Sequence, residues 1–200
     1  MKRISLVALL LVFSFPTALS AYRVTYKEQY YRLYHVQLYQ YPERITENVF
    51  WLQQALRADF ANPLNALAVI ETPREWERYR YLFTMHVNLK LTELYLRWAG
   101  KYFKQDAYFY NYPFQRQNLE SLQRAEELLN RALPYWNEAK LWSTVAAQIP
   151  GVHLEEIQHW HDESHRIETG ELDYEAIINR HLEHLEEVRT QFLRMNELTY

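Results

Sequence analysis

The stretch from Thr72 to Lys104, TPREWERYRYLFTMHVNLKLTELYLRWAGKYFK, determines the fold class of this chain. It opens with Thr72-Pro73-Arg74-Glu75, a capping box with proline at the first helical position, where its missing N–H costs no hydrogen bond. Apolar side chains then recur every three or four residues, which predicts one long helix: Trp76, Tyr79, Phe83, Val87, Leu91, Leu94, Trp98 and Tyr102. At 1.5 Å per residue this helix is roughly 48 Å long, a length typical of a bundle or a helical repeat.

Two further helices are predicted on the N-terminal side of this stretch. In the segment Tyr22 to Tyr41, four tyrosines follow each other at intervals of four and share one helical face. The segment Glu43 to Ala58 has the apolar spacing of an amphipathic helix, and Asn62-Pro63 ends it.

On the C-terminal side, residues 105–114 form a predicted connection, and helical spacing resumes at Leu119. Pro134 is expected to kink or restart this helix, because proline lacks a backbone donor. Pro150-Gly151 ends it, a further helix runs from Leu154 to a stop at Gly170, and Asp173 caps the last helix. Because the link at Gly170 is short, we expect these last two helices to be antiparallel neighbours.

The first 20 residues are predicted to be a cleaved signal peptide. Lys2 and Arg3 precede a short apolar run, and Ala18 and Ser20 place the cut before Ala21. The run is too short to span a bilayer comfortably, so we expect export to the periplasm without stable membrane insertion after cleavage. Residues 21–200 are then a single helical domain, which must be held by its core because the chain has no cysteine.

Composition and missing motifs argue against several function classes. The formal net charge is −3 and no polybasic run occurs, so no nucleic-acid partner is expected. With three glycines and no cysteine, the chain has no nucleophile elbow and no phosphate-binding loop. We therefore predict a protein that is not an enzyme.

Part of the chain resembles a tetratricopeptide repeat. Ala125, Leu129, Ala132 and Leu133 match the small and large apolar positions of the second helix of such a repeat, and Gly100 and Phe103 match part of the first. The two halves are some thirteen residues too far apart and no clean second copy follows. The predicted fold is therefore all-α, with about six helices in antiparallel hairpins, as a degenerate repeat of this type or a bundle.

The signal peptide and the tyrosine-rich helices together resemble the periplasmic helical proteins of spirochaetes, some of which form the collar around the flagellar motor. This resemblance implies a scaffold or assembly factor whose partners are other periplasmic or envelope proteins, including flagellar motor components.

An aromatic-rich connection is the predicted partner-binding site. Tyrosine is enriched at the centres of protein interfaces because it buries a large surface at little conformational cost. The rings could instead cover the protein's own helices, Tyr102 above all, or stack on sugar rings. The predicted site comprises Tyr102, Phe103, Tyr108, Phe109, Tyr110, Tyr112 and Phe114.

A group of histidines is the alternative site. His161 and His165 are one helical turn apart, and a chain reversal near residue 170 would bring His181 opposite His161. Three converging imidazoles could bind zinc, although no cofactor is otherwise expected. The alternatives to a scaffold are thus a metal- or small-ligand-binding protein centred on these histidines, and a cell-wall enzyme using paired acids such as Glu155-Glu156.

Overall fold

In a computed structural model, residues 23–103 and 111–198 are described, and this part of the chain is all-α with no β-strand. The predicted fold class is confirmed. The six helices are α1 Lys27–Gln40, α2 Ile45–Arg57, α3 Pro73–Gly100, α4 Gln115–Ala147, α5 Gln158–Glu168 and α6 Tyr174–Arg194. Short 3₁₀ turns lie at Pro63–Asn65, Tyr112–Phe114 and Glu155–Ile157. The predicted signal peptide lies outside the described residues.

The predicted helix ends are formed by the predicted side chains. The backbone N–H of Glu75 donates to the Thr72 hydroxyl at 3.2 Å, and the N–H of Thr72 donates to the Glu75 carboxylate at 3.0 Å. Asp173 accepts from the N–H of Ala176 at 3.1 Å. Gly170 has a φ of 76°, a left-handed conformation that ends α5 at low cost only for glycine.

Helices α3 and α4 form an antiparallel hairpin at the centre of the fold. Tyr81 stacks on Trp142 with ring centroids 5.6 Å apart, and Tyr95 stacks on Tyr135 at the same distance. The residue numbers of the contacting rings increase along α3 and decrease along α4, so the two helices run antiparallel.

Small side chains at a spacing of seven form one buried face of α4, which we call the alanine seam. Ala125, Ala132, Ala139 and Ala146 are all fully buried. A seven-residue spacing keeps a narrow seam of one helix against its neighbour, as in coiled coils. The buried alanines thus continue beyond the segment that resembles a tetratricopeptide repeat. At Gly100, an added Cβ would meet nothing within 4 Å, so close packing does not require glycine there.

Pro134 does not restart the helix, contrary to one of the two predicted outcomes. Helix α4 is continuous from Gln115 to Ala147 with Pro134 inside it. Pro134 is exposed, whereas Ala132 and Trp136 beside it are buried against the rest of the fold. Tertiary packing on both sides therefore holds the helix through the lost hydrogen bond.

The first two helices form a second antiparallel hairpin, which we call the N-terminal hairpin. Tyr30 of α1 stacks on Trp51 of α2, and Gln37 donates to Glu47 at 2.5 Å. The ammonium group of Lys27 donates to the carbonyl of Ala55 at the end of α2. Cations bind favourably there because the last carbonyls of a helix lack partners within it.

The last two helices are not the antiparallel neighbours that the sequence predicts. Helix α5 packs across α3 and α4, α6 packs along α4, and α5 and α6 make little contact with each other. Lys140 of α4 pairs with Glu175 of α6 at 2.6 Å, and Gln115 of α4 donates to the carbonyl of Phe192. Contacts with α4 thus determine where α6 lies, and the short link between α5 and α6 does not. None of the described helices combines the length and apolar character needed to cross a membrane.

Candidate functional site

A continuous chain of polar contacts joins four helices inside the bundle. It begins on α1, crosses α3 to α5, returns to α3 and ends on α6. We call it the polar chain, and its members are Tyr31, His86, Glu163, Lys90, Glu93 and Tyr174.

His86 lies at the centre of the polar chain and is only 1% exposed. Its Nε2 lies 2.8 Å from the Tyr31 hydroxyl, and its Nδ1 contacts the Glu163 carboxylate. The indole of Trp160 stacks on the imidazole with centroids 4.8 Å apart. Both ring nitrogens therefore have a polar partner, while an aromatic side chain covers one face of the ring.

The protonation states along these contacts are mutually consistent. Burial lowers the pKa of His86 and outweighs the opposing effect of Glu163, so the imidazole is neutral. Burial raises the pKa of Tyr31, so the phenol keeps its proton. For Glu163, burial is outweighed by the hydrogen bond from His86 and the charge of Lys90, and its pKa lies below the usual value. Tyr31 thus donates to Nε2, and Nδ1–H donates to an ionised Glu163.

Lys90 links the two carboxylates of the polar chain. Its ammonium lies 3.0 Å from Glu163 and 3.0 Å from Glu93. Burial alone would lower the pKa of Lys90, but the two carboxylates outweigh it and raise the pKa. The hydroxyl of Tyr174 in α6 donates to Glu93 at 3.2 Å. Every charge in the group is therefore paired, as buried charges require.

The order hydroxyl, imidazole, carboxylate is also that of hydrolytic triads, in which the imidazole withdraws a proton from the hydroxyl. The ring of Tyr31 contacts Phe83, His86 and Trp160 with centroids 5.5 to 5.9 Å apart. Because burial raises the pKa of this phenol, the surroundings oppose formation of a nucleophilic phenolate. The arrangement is suited to holding α1, α3 and α5 together.

A small cleft of about 150 Å³ opens beside the polar chain, between α1 and α3. Two members of the chain, Lys90 and Glu93, form part of its wall. The other residues that line it are Tyr34, Leu38, Leu94 and Arg97.

Large exposed apolar side chains are concentrated near the N-terminal hairpin. Seven of the ten found among the described residues precede α3. Four of them belong to the hairpin and its turn, and Tyr39 is 89% exposed. We call these four the hairpin surface: Val36, Tyr39, Tyr41 and Phe50.

Four of the seven predicted partner-binding aromatics lie within the described part of the chain. Tyr108, Phe109 and Tyr110 lie outside the described residues. Phe103 is 7% exposed and packs against His181, with centroids 4.6 Å apart, so it belongs to the core and is not an exposed contact residue. Partly buried positions are occupied by Tyr102, Tyr112 and Phe114.

The structure does not bring the predicted metal ligands His161, His165 and His181 together. His161 lies 3.3 Å from the guanidinium of Arg78, His165 is exposed, and His181 packs on Phe103. Burial and the charge of Arg78 lower the pKa of His161 to about 4. Among the described residues, no group of three or more His, Cys, Asp or Glu could hold a metal ion. The predicted convergence fails because α5 and α6 do not pack side by side.

Sequence reasoning missed the polar chain. The feature of the sequence that could have indicated it is the spacing of His86, Lys90 and Glu93. These residues are four and three positions apart and therefore share one face of α3. All three stand in a helix that is largely buried. Titratable residues on a buried face need partners, which their spacing alone does not identify.

A family model described as a domain of unknown function, DUF8513, matches residues 74–195. The chain belongs to this family. The match spans α3 to α6 and thus contains every member of the polar chain except Tyr31. The hairpin surface lies before the matched DUF8513 region. No curated protein and no solved structure matches the chain.

Proposed function

We propose that this protein is a helical scaffold of the cell envelope that binds other proteins through the hairpin surface. The observation that supports the proposal is the uneven distribution of exposed apolar side chains. Most of them precede α3, whereas the DUF8513 region is largely closed around its own core. A concentration of exposed apolar side chains on one part of a protein favours an interaction site there.

Rigid aromatic side chains on a fixed hairpin suit this role. Tyr39 and Phe50 each have only two side-chain torsions to order on binding, so their burial provides affinity at a small entropic cost. The hairpin is held on the bundle by the contact between Tyr31 and His86. A partner would therefore meet a preorganised surface.

The cellular setting of this proposal depends on the predicted signal peptide, which implies the periplasm. Membership of a flagellar motor collar is the more specific version, and it rests on the resemblance to spirochaete proteins. Both versions predict stable protein partners in the envelope.

The experiment is mild crosslinking in the native envelope, followed by purification of the protein and mass spectrometry of what co-purifies. Wild type is compared with the double variant Tyr39→Ser, Phe50→Ser. The matched control is Leu141→Ser, which alters an exposed apolar residue on α4 within the DUF8513 region. We expect a reproducible set of envelope proteins with wild type and with the control, and loss of that set with the double variant.

Two results would count against the proposal: no reproducible partner with wild type, or equal recovery with the double variant. Flagellar motor proteins in the set would support the more specific version, and other envelope proteins would contradict it. Because the key contacts are apolar, the association should persist at about 0.5 M salt, where the Debye length falls to a few ångströms.

A further inference from the structure

The cleft between α1 and α3 is lined by a phenol hydroxyl that is free to bind a ligand. Tyr34 is 3% exposed and lines the cleft. Its hydroxyl makes no hydrogen bond to another described residue. Burial raises the pKa of this phenol, so the hydroxyl retains its proton and can donate. A ligand that enters the cleft and carries an acceptor can therefore accept a hydrogen bond from this hydroxyl.

Two opposite charges face the same cleft without pairing with each other. Glu93 and Arg97 are four apart on α3, a spacing at which such side chains commonly form an ion pair. Here Arg97 donates to the carbonyl of Pro42 at 3.2 Å and forms no ion pair within the described part of the chain. Glu93 is held instead by Lys90 and Tyr174.

The remaining charge in the wall is already neutralised. Lys90 pairs with Glu163 as well as with Glu93, and its ammonium has few directions left for a ligand. The wall of the cleft therefore presents one anionic group, Glu93, and one cationic group, Arg97, to a ligand. Leu38 and Leu94 supply apolar wall between and beside them.

We propose that this cleft binds a small zwitterion of the α-amino acid class. The ligand's carboxylate accepts hydrogen bonds from Arg97 and from the hydroxyl of Tyr34, and its ammonium donates to Glu93. Leu38 and Leu94 contact its side chain. The volume of the cleft, about 150 Å³, is large enough for a small amino acid, because a cavity of this volume can hold a molecule as large as benzene. This site shares no residue with the hairpin surface.

The test is isothermal titration calorimetry of the whole mature protein with four probes. L-alanine and L-valine carry both charges, whereas acetate and methylammonium each carry one. We expect saturable binding of at least one zwitterion with a Kd below about 1 mM, and binding at least tenfold weaker for acetate and methylammonium. A single charge satisfies only one side of the cleft.

Variants identify the site. Arg97→Gln and Tyr34→Phe each remove one donor to the carboxylate and should weaken zwitterion binding about tenfold or more. The matched control is Arg116→Gln, an exposed arginine on α4 that lines a different groove, and it should leave the Kd unchanged. Circular dichroism and the unfolding midpoint establish that each variant is folded.

Three outcomes would overturn the proposal. They are no saturable heat for either zwitterion up to about 10 mM, equal affinity for acetate and L-valine, and an unchanged Kd in Arg97→Gln. Equal affinity for acetate would instead indicate a simple anion site. None of these outcomes bears on partner binding by the hairpin surface, because the variants leave Tyr39 and Phe50 in place.

Discussion

The hydroxyl of Tyr31 lies 2.8 Å from Nε2 of His86, and this contact joins the N-terminal hairpin to the interior of the DUF8513 region. Tyr31 lies on α1 and His86 on α3, and the two are 55 positions apart in the sequence. The contact leads to the first of five predictions.

Replacing Tyr31 by phenylalanine should lower the free energy of unfolding by about 1 to 2 kcal/mol. The substitution keeps the ring but leaves Nε2 of the buried His86 without its donor. Urea unfolding measures the change. Tyr39→Phe is the control, since the exposed Tyr39 hydroxyl should be worth nothing measurable. Equal stability of the two variants would show that the Tyr31 contact contributes little.

Replacing His86 by leucine should cost more, about 3 to 5 kcal/mol. Glu163 would lose one of its two partners and remain a poorly compensated charge in the interior. The comparison is Arg116→Gln, which breaks the exposed pair between Arg116 and Glu120 and should cost less than about 0.5 kcal/mol. A cost for His86→Leu as small as this would argue against a buried charge at Glu163.

Stability should fall as the pH is lowered from about 6.5 towards 4, with His161 contributing. Burial and the charge of Arg78 hold the pKa of His161 at about 4 in the folded state, against 6.5 in the unfolded chain. The unfolded state therefore binds the proton first, so stability is retained above pH 6.5 and lost as the pH falls through this window.

The expected size of this effect is about 1 to 2 kcal/mol, less than the full shift implies because His161 is only partly buried. Urea unfolding at pH 7 and pH 4.5 measures it. His161→Asn should reduce the acid-induced loss, and His165→Asn, which changes an exposed residue on the same helix, should not. The same loss in both variants would contradict this assignment.

Enlarging one alanine of the α4 seam should be destabilising. Ala132→Leu inserts a branched side chain at a fully buried position of α4 and should cost about 1 to 3 kcal/mol through overpacking. Ala147→Leu, at the exposed end of the same helix, should be close to neutral. Thermal unfolding of both variants tests the closeness of this seam. A neutral Ala132→Leu would mean that the alanine seam is packed less tightly than its complete burial indicates.

Replacing Pro134 by alanine should stabilise the protein by about 1 to 2 kcal/mol. Alanine restores the backbone donor that an interior proline removes, and the exposed position leaves the core unchanged. Part of the gain is offset, because proline also restricts the unfolded chain. Urea unfolding measures the result, and a loss of stability would show that the native backbone at this position is adapted to proline.

Local signals in the sequence identified the helices and several of their ends. The capping box at Thr72 and Glu75, the cap at Asp173 and the glycine at 170 act within one helical turn. Such interactions do not depend on distant parts of the chain, so they can be recognised without the tertiary structure. The all-α class follows from the same signals together with the apolar spacing.

Only the tertiary structure decided which helices are neighbours and which side chains meet. The sequence alone placed His181 opposite His161, but α6 packs along α4, while α5 packs against α3 and α4 and makes little contact with α6. The meeting of Tyr31, His86 and Glu163 likewise unites three helices that are far apart in the chain. Helical periodicity determines which face of each helix is buried, but the partner of that face is selected by packing over the whole bundle, where many pairings of apolar faces compete.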